Sequence, residues 1–152
     1  MKQVMVLLLM LAGSLYPAPI ELPLKSISEP MRALPDAQRR TLDRAISLVR
    51  RGEHLAALSV LQEMAKSTPG SSAVRVVLSY ALLQAGNVAG AFDEARLAES
   101  APDRNSYMCV FLAKIALLAG DTSTCKREIE HARSTGKHGK EVKELESALA
   151  KR

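Results

Sequence analysis

Apolar residues along most of the chain recur every three or four positions, which is the pattern of amphipathic helices rather than of strands. Three glycines, Gly52, Gly86 and Gly120, interrupt this pattern at a fixed spacing (86 − 52 = 34 and 120 − 86 = 34). A period of this length is typical of arrays in which each unit is a pair of antiparallel helices. The pattern therefore predicts three helix–turn–helix units with a turn at each glycine.

The predicted helices end where glycine or proline follows the apolar pattern. They cover residues 36–51, 53–67, 72–85, 88–101, 105–119, 122–134 and 139–151. The last helix carries a narrow apolar stripe, Val142, Leu145 and Leu149, among charged residues. Such a helix covers the end of a repeat array while its outer face stays in water, so residues 138–152 are expected to be a C-terminal capping helix. The loop 137–140 before it is expected to be solvated.

Small residues recur at the same period where the two helices of a unit would face each other. They are Ala45, Ser79 and Ala113 in the first helices, and Ala57, Ala91 and Cys125 in the second helices. Small side chains allow two antiparallel helices to pack closely. We therefore expect these positions to lie in the helix–helix contacts.

The period, the small positions and the closing prolines Pro69 and Pro102 resemble the tetratricopeptide repeat (TPR) family. The resemblance covers about residues 38–137. The family's large first-helix position is held here by Thr41, Arg75 and Cys109, so the repeats are degenerate. An alternative is an unrelated helical bundle whose spacing is a coincidence.

The resemblance implies an all-α fold, a right-handed α-solenoid of three helix–turn–helix repeats with a C-terminal capping helix. The repeats would span residues 36–137, at about 38–71, 72–105 and 106–137. In this family the first helix of each unit lines a concave groove that holds a peptide. The matching positions here are Leu42, Ile46, Val76, Tyr80, Leu83, Tyr107, Val110, Phe111 and Lys114.

Three of the chain's five aromatic residues fall among these groove positions. Aromatic side chains give a large contact area, and tyrosine adds a polar tip. The groove is therefore expected to bind an apolar-anchored helix or an extended segment of another protein. The alternative is that the chain's own linker, or the next helix, buries the same residues.

The first 14 residues predict a secretory signal peptide. Lys2 precedes an unbroken apolar run at residues 4–11, which is short of the roughly 20 residues of a membrane-spanning helix. Cleavage is expected after Ser14, or alternatively after Ala18; Ser14 also stands where a lipoprotein signal needs cysteine. We expect an exported protein, periplasmic or secreted. The alternative is a retained inner-membrane anchor.

Residues 15–35 predict a linker, because they hold five of the seven prolines. Proline at this spacing disfavours helix and favours extended chain. The stretch 20–24 is nevertheless apolar, which is unusual for a solvated tether. We expect it to pack back on the repeats rather than dock elsewhere.

Candidate catalytic and metal-binding residues are few. The three histidines, His54, His131 and His138, fall in different parts of the repeat pattern, and no second ligand follows any of them at a known metal-site spacing. His131 is expected to be an ordinary surface histidine. The sequence predicts no enzyme activity, no cofactor and no metal site. Cys109 and Cys125 are expected to be free and buried, because their positions in the repeats are too far apart for a disulfide.

The chain carries a net charge of +5. Basic residues are concentrated on the first repeat helix: Arg39, Arg40, Arg44, Arg50 and Arg51. This helix could meet an acidic partner or lipid headgroups; the alternative is a solvated outer face. Nucleic acid is not expected, because the protein is expected to be exported and because no aromatic residues are interleaved with the basic ones.

Taken together, these features predict a non-enzymatic scaffold or adaptor that binds another protein in the cell envelope. One alternative is a periplasmic chaperone-like holder of an unassembled subunit. The other is a membrane-anchored structural element, if the N-terminal segment is retained.

Overall fold

The computed structural model describes residues 20–152, so the predicted signal peptide and residues 15–19 lie outside the described part of the chain. Residues 20–152 form eight helices and no strand. The helices are α1 (Leu24–Arg32), α2 (Asp36–Arg50), α3 (His54–Ser67), α4 (Ser72–Gln84), α5 (Val88–Ser100), α6 (Tyr107–Ala119), α7 (Thr122–Ser134) and α8 (Gly139–Ala150). Among these eight, none is both long enough and apolar enough to cross a bilayer.

The seven predicted helices are confirmed as α2 to α8, with every end close to its expected position. The repeating glycines explain this accuracy. Gly52, Gly86 and Gly120 have φ angles of 77°, 85° and 80°, a left-handed conformation that ends a helix and that other residues rarely adopt. The chain must therefore turn at the same point of each repeat.

Side-chain caps then start the next helix. Asn87 accepts a hydrogen bond from the backbone N–H of Gly90 at the start of α5, and Asp121 accepts one from Thr124 at the start of α7, both at 2.9 Å. The hydrogen bonds from Thr124 hold the pKa of the Asp121 carboxyl below its usual range. Both ends of the second and third turns are thus fixed by local chemistry, whereas α3 begins after the first turn without a side-chain cap.

Within each repeat the first helix packs against the second: α2 on α3, α4 on α5 and α6 on α7. All six small residues of the repeat pattern are fully buried, as predicted. In the second repeat the Ser79 hydroxyl donates directly to the backbone carbonyl of Ala91 on the facing helix, at 2.6 Å. The fold is a helical repeat array of three units, and α8 covers the last one.

Two clusters of buried residues make the core. The larger joins α1 to α5 with one side of α6, and the smaller joins the other side of α6 with α7 and α8. In the smaller cluster α8 contributes Val142, Leu145 and Ala148. The loop before α8 differs from expectation: His138 is buried and its ring lies edge-on to Tyr107, with 4.6 Å between ring centroids.

The expectation that prolines exclude helix from residues 15–35 is wrong for residues 24–32, which form α1 with Pro30 inside it. Ile27, Met31 and Leu34 follow one another at helical spacing and pack on the larger core cluster. The apolar residues Ile20 and Leu22 pack there as well, which confirms that this segment folds back on the repeats. Burial of one helix face thus overrides the local cost of proline.

The tight helix contact in the second repeat can be tested by substitution. We expect Ala91→Leu to lower the free energy of unfolding by about 1–3 kcal/mol, because the buried position has no room for a larger side chain. Ala89→Leu, at an exposed position of the same helix, is the matched control and should change it little. Urea unfolding followed by circular dichroism measures both. Equal effects would contradict a close contact at Ala91.

Candidate functional site

The first helices α2, α4 and α6 form the face on which the predicted groove residues lie; we call it the inner face. Helix α1 packs on this face, against both α4 and α6. Six of the nine predicted groove residues are buried: Leu42, Ile46, Val76, Leu83, Val110 and Phe111. Tyr80, Tyr107 and Lys114 are half-buried. Much of the predicted groove is therefore already covered by the chain itself.

An open cleft of about 480 Å³ remains beside α1. One wall is the chain segment 20–26, and the other holds four predicted groove residues with Glu141 of α8. Those four residues are Tyr107, Val110, Phe111 and Lys114. The cleft combines an apolar base with charges of both signs, since Lys25, Lys114 and Glu141 all line it. It could hold an apolar side chain flanked by polar groups.

Individual contacts attach segment 20–26 to the inner face. The Lys25 ammonium lies 5.6 Å from the centre of the Tyr107 ring, a cation–π contact. Burial raises the pKa of the Tyr80 hydroxyl, and the nearby carboxylate of Glu21 adds to the increase. Both tyrosines of the predicted groove are therefore in contact with, or close to, the N-terminal segment.

Asn105 connects α1 to the start of α6. Its side-chain amide donates to the backbone carbonyls of Lys25 and Ser26, at 3.1 and 3.2 Å, and its carbonyl oxygen accepts from the Tyr107 N–H at 3.0 Å. Pro30 has no N–H, so the carbonyl of Ser26, four residues earlier, lacks its helical partner. Asn105 replaces that partner. A backbone carbonyl of α1 thus receives its hydrogen bond from a side chain that is 79 positions away in the sequence.

The basic residues of α2, and Arg51 directly after it, are mostly exposed. Arg39 pairs with Asp36, and Arg51 pairs with Glu53 at 2.7 Å. Arg40, Arg44 and Arg50 are exposed and make no ion pair within residues 20–152. The geometry allows contact with an acidic surface, which remains a prediction.

The expectation of two free, buried cysteines is confirmed. The Cys109 thiol donates to the backbone carbonyl of Ser106 at 2.8 Å. Burial, with the charge of Glu128 nearby, raises the pKa of Cys109 to about 11, and burial raises the pKa of Cys125. Both thiols therefore stay protonated near neutral pH and are poor nucleophiles.

One cluster of polar side chains was missed by the sequence reasoning. Glu99 at the end of α5 meets Glu128 and His131 of α7. His131 is exposed, as expected, but it has two carboxylates beside it. The available signal was the spacing Glu128-x-x-His131, which places both side chains on one face of a helix. Glu99 could not be paired with them from the sequence, because it belongs to another repeat.

No family model matches the chain, and no curated protein matches it. Among solved structures, its fold is similar to that of the type III secretion chaperone SycD of Yersinia enterocolitica, crystallised with a peptide of the translocator YopD. The TM-score is 0.62, the sequence identity is 15%, and the alignment covers 78% of this chain and 90% of that one. At this identity the likeness shows a shared fold, and it supports the TPR-like repeat architecture.

The role of Asn105 can be tested with Asn105→Asp, which keeps an acceptor for the Tyr107 N–H but removes the donor to Ser26. We expect a loss of about 1–3 kcal/mol in the stability of α1, because a buried carbonyl loses its partner. Hydrogen exchange of the α1 amides measures this. Ser28→Ala, at an exposed position of α1, is the control. Unchanged exchange in Asn105→Asp would show that Asn105 does not hold the helix.

Proposed function

We propose that this chain is a non-enzymatic scaffold whose inner face binds a short, apolar-anchored segment of another protein. The observation that carries the proposal is the docking of residues 20–34 on that face. A segment with one fully buried isoleucine, Ile27, lies across α4 and α6 and leaves a cleft beside it. The inner face is therefore chemically suited to hold a peptide, as helix-binding grooves are.

The contacts of the docked segment indicate what a ligand would need. Ile27 supplies an apolar anchor, and Asn105 binds backbone carbonyls, which any peptide has. Lys25 and Glu21 approach the two tyrosines. A ligand would thus be recognised by one or two apolar side chains, backbone hydrogen bonds and a few charges.

Residues 20–34 are also suited to being displaced. Helix α1 has nine residues, a proline inside it and no side-chain cap at its start. Such a short helix has little stability of its own and depends on its contacts with the inner face. A partner segment would compete with residues 20–34 for the same surface. Because these residues are tethered to the array, their effective concentration is high and weakens the apparent affinity for the partner.

A second candidate is a chaperone-like holder that keeps a subunit unassembled until it is needed. The observation that favours it is the fold shared with a secretion chaperone that was crystallised with a peptide of the translocator YopD. An adaptor and a holder would use the same inner face. They differ in what happens to the bound protein, which is released to assemble in the second case.

We further propose that the protein acts after export, in the cell envelope. The support is the charged and apolar pattern of residues 1–14, which lie outside the described part of the chain. Retention of that segment would instead make the protein a membrane-anchored element. The exposed arginines of α2 would then suit contact with anionic headgroups.

The peptide-binding proposal can be tested with a labelled peptide of residues 20–34 and the full chain. Ile27→Asp places a charge in an apolar contact and should detach α1 from the inner face. We expect this variant to bind the peptide at least about tenfold more tightly than the unmodified chain, because the competing segment is removed. Fluorescence anisotropy measures the affinity.

The matched control is Ser28→Asp, which adds the same charge at an exposed position of α1 and should leave binding unchanged. A peptide that itself carries Ile27→Asp should not bind. If the Ile27→Asp chain keeps its helical circular dichroism signal and still binds no peptide, the inner face does not accept a separate segment. The proposed function would then be wrong.

A further inference from the structure

Glu99, Glu128 and His131 come together on the side of the array formed by the second helices, away from the inner face. The Nδ1 atom of His131 lies 3.8 Å from a carboxylate oxygen of Glu99 and 3.8 Å from Oε2 of Glu128. One ligand atom from each of the three residues lies within 4.8 Å of the other two. Ligands of one tetrahedral ion at bond lengths of about 2.1 Å are about 3.4 Å apart, so small side-chain rotations would suffice.

Glu128 is the unusual member of this group. Its side chain is 4% exposed, and Oε2 has no hydrogen-bond partner within residues 20–152. The other oxygen is bound by Arg127 at 2.9 Å. A buried carboxylate oxygen without a partner is costly, and a bound ion would remove that cost. The unpartnered Oε2 lies 3.8 Å from Nδ1 of His131, and an ion would bind between these two atoms.

We propose that Glu99, Glu128 and His131 bind a divalent transition-metal ion such as zinc. One imidazole and two carboxylates suit a first-row transition ion better than magnesium or calcium, which prefer oxygen ligands alone. An open pocket of about 400 Å³ adjoins Glu99 and His131, with Arg104, Asn105 and Ser106 in its walls. Water from this pocket would complete the coordination.

The surrounding charges are compatible with an ion. Arg104 lies 3.6 Å from a carboxylate oxygen of Glu99, and Arg127 pairs with Glu128. The side chains of both arginines are about half exposed or more, so each can turn towards water when a cation enters.

A bound ion would link α5 of the second repeat to α7 of the third. Because the ligands come from different repeats, only the folded array brings them together. A ligand of the folded state raises its stability in proportion to the logarithm of its concentration. Zinc should therefore raise the melting temperature of the protein as well as bind to it.

The test uses the full chain without a histidine tag, treated with chelator and titrated with zinc chloride by isothermal calorimetry. We expect one zinc per chain and much weaker binding of magnesium. Glu128→Gln and His131→Gln should each weaken zinc binding at least about tenfold and remove the increase in melting temperature. Glu130→Gln is the matched control, since it removes an exposed carboxylate of the same helix.

Two outcomes would overturn the proposal. One is no zinc binding by the unmodified chain, which would show that the three side chains do not form a metal site. The other is binding that His131→Gln does not weaken, which would mean adventitious sites elsewhere. His131 is exposed, so its variant should fold even if Glu128→Gln does not. Neither result bears on peptide binding at the inner face.

Discussion

In each repeat two antiparallel helices touch across side chains no larger than those of serine or cysteine, and the rest of the structure depends on this close approach. Ser79 and Ala91 are fully buried where α4 meets α5, and the Ser79 hydroxyl bonds directly to the opposite backbone. Larger side chains fill the rest of the core. Leu61 and Ile115 are buried in the larger core cluster.

The same packing accounts for the inner face. Because residues such as Val76 and Phe111 already belong to the core, the more accessible predicted groove residues on that face are the half-buried Tyr80, Tyr107 and Lys114. Helix α1 covers part of this face. Most of the predicted groove residues are buried, and the cleft beside α1 is a part of the face that stays open.

The two sides of the array therefore differ in chemistry. The inner face combines apolar contacts with backbone hydrogen bonds from Asn105 and suits a peptide. The side formed by the second helices brings two carboxylates and an imidazole together and suits a cation. A ligand on one side does not require a ligand on the other, although Asn105 lines the pocket beside the proposed metal site.

The sequence alone determined the repeat period, the helix ends and the small contact positions. These depend on local rules: glycine adopts positive φ at Gly52, Gly86 and Gly120, and apolar residues follow the helical period. Only the tertiary structure decided that residues 24–32 are helical, because the partner of the Ser26 carbonyl is Asn105, far along the chain. Only the tertiary structure, too, placed Glu99 beside His131. The two residues belong to different repeats, and a contact between repeats has no characteristic spacing in the sequence.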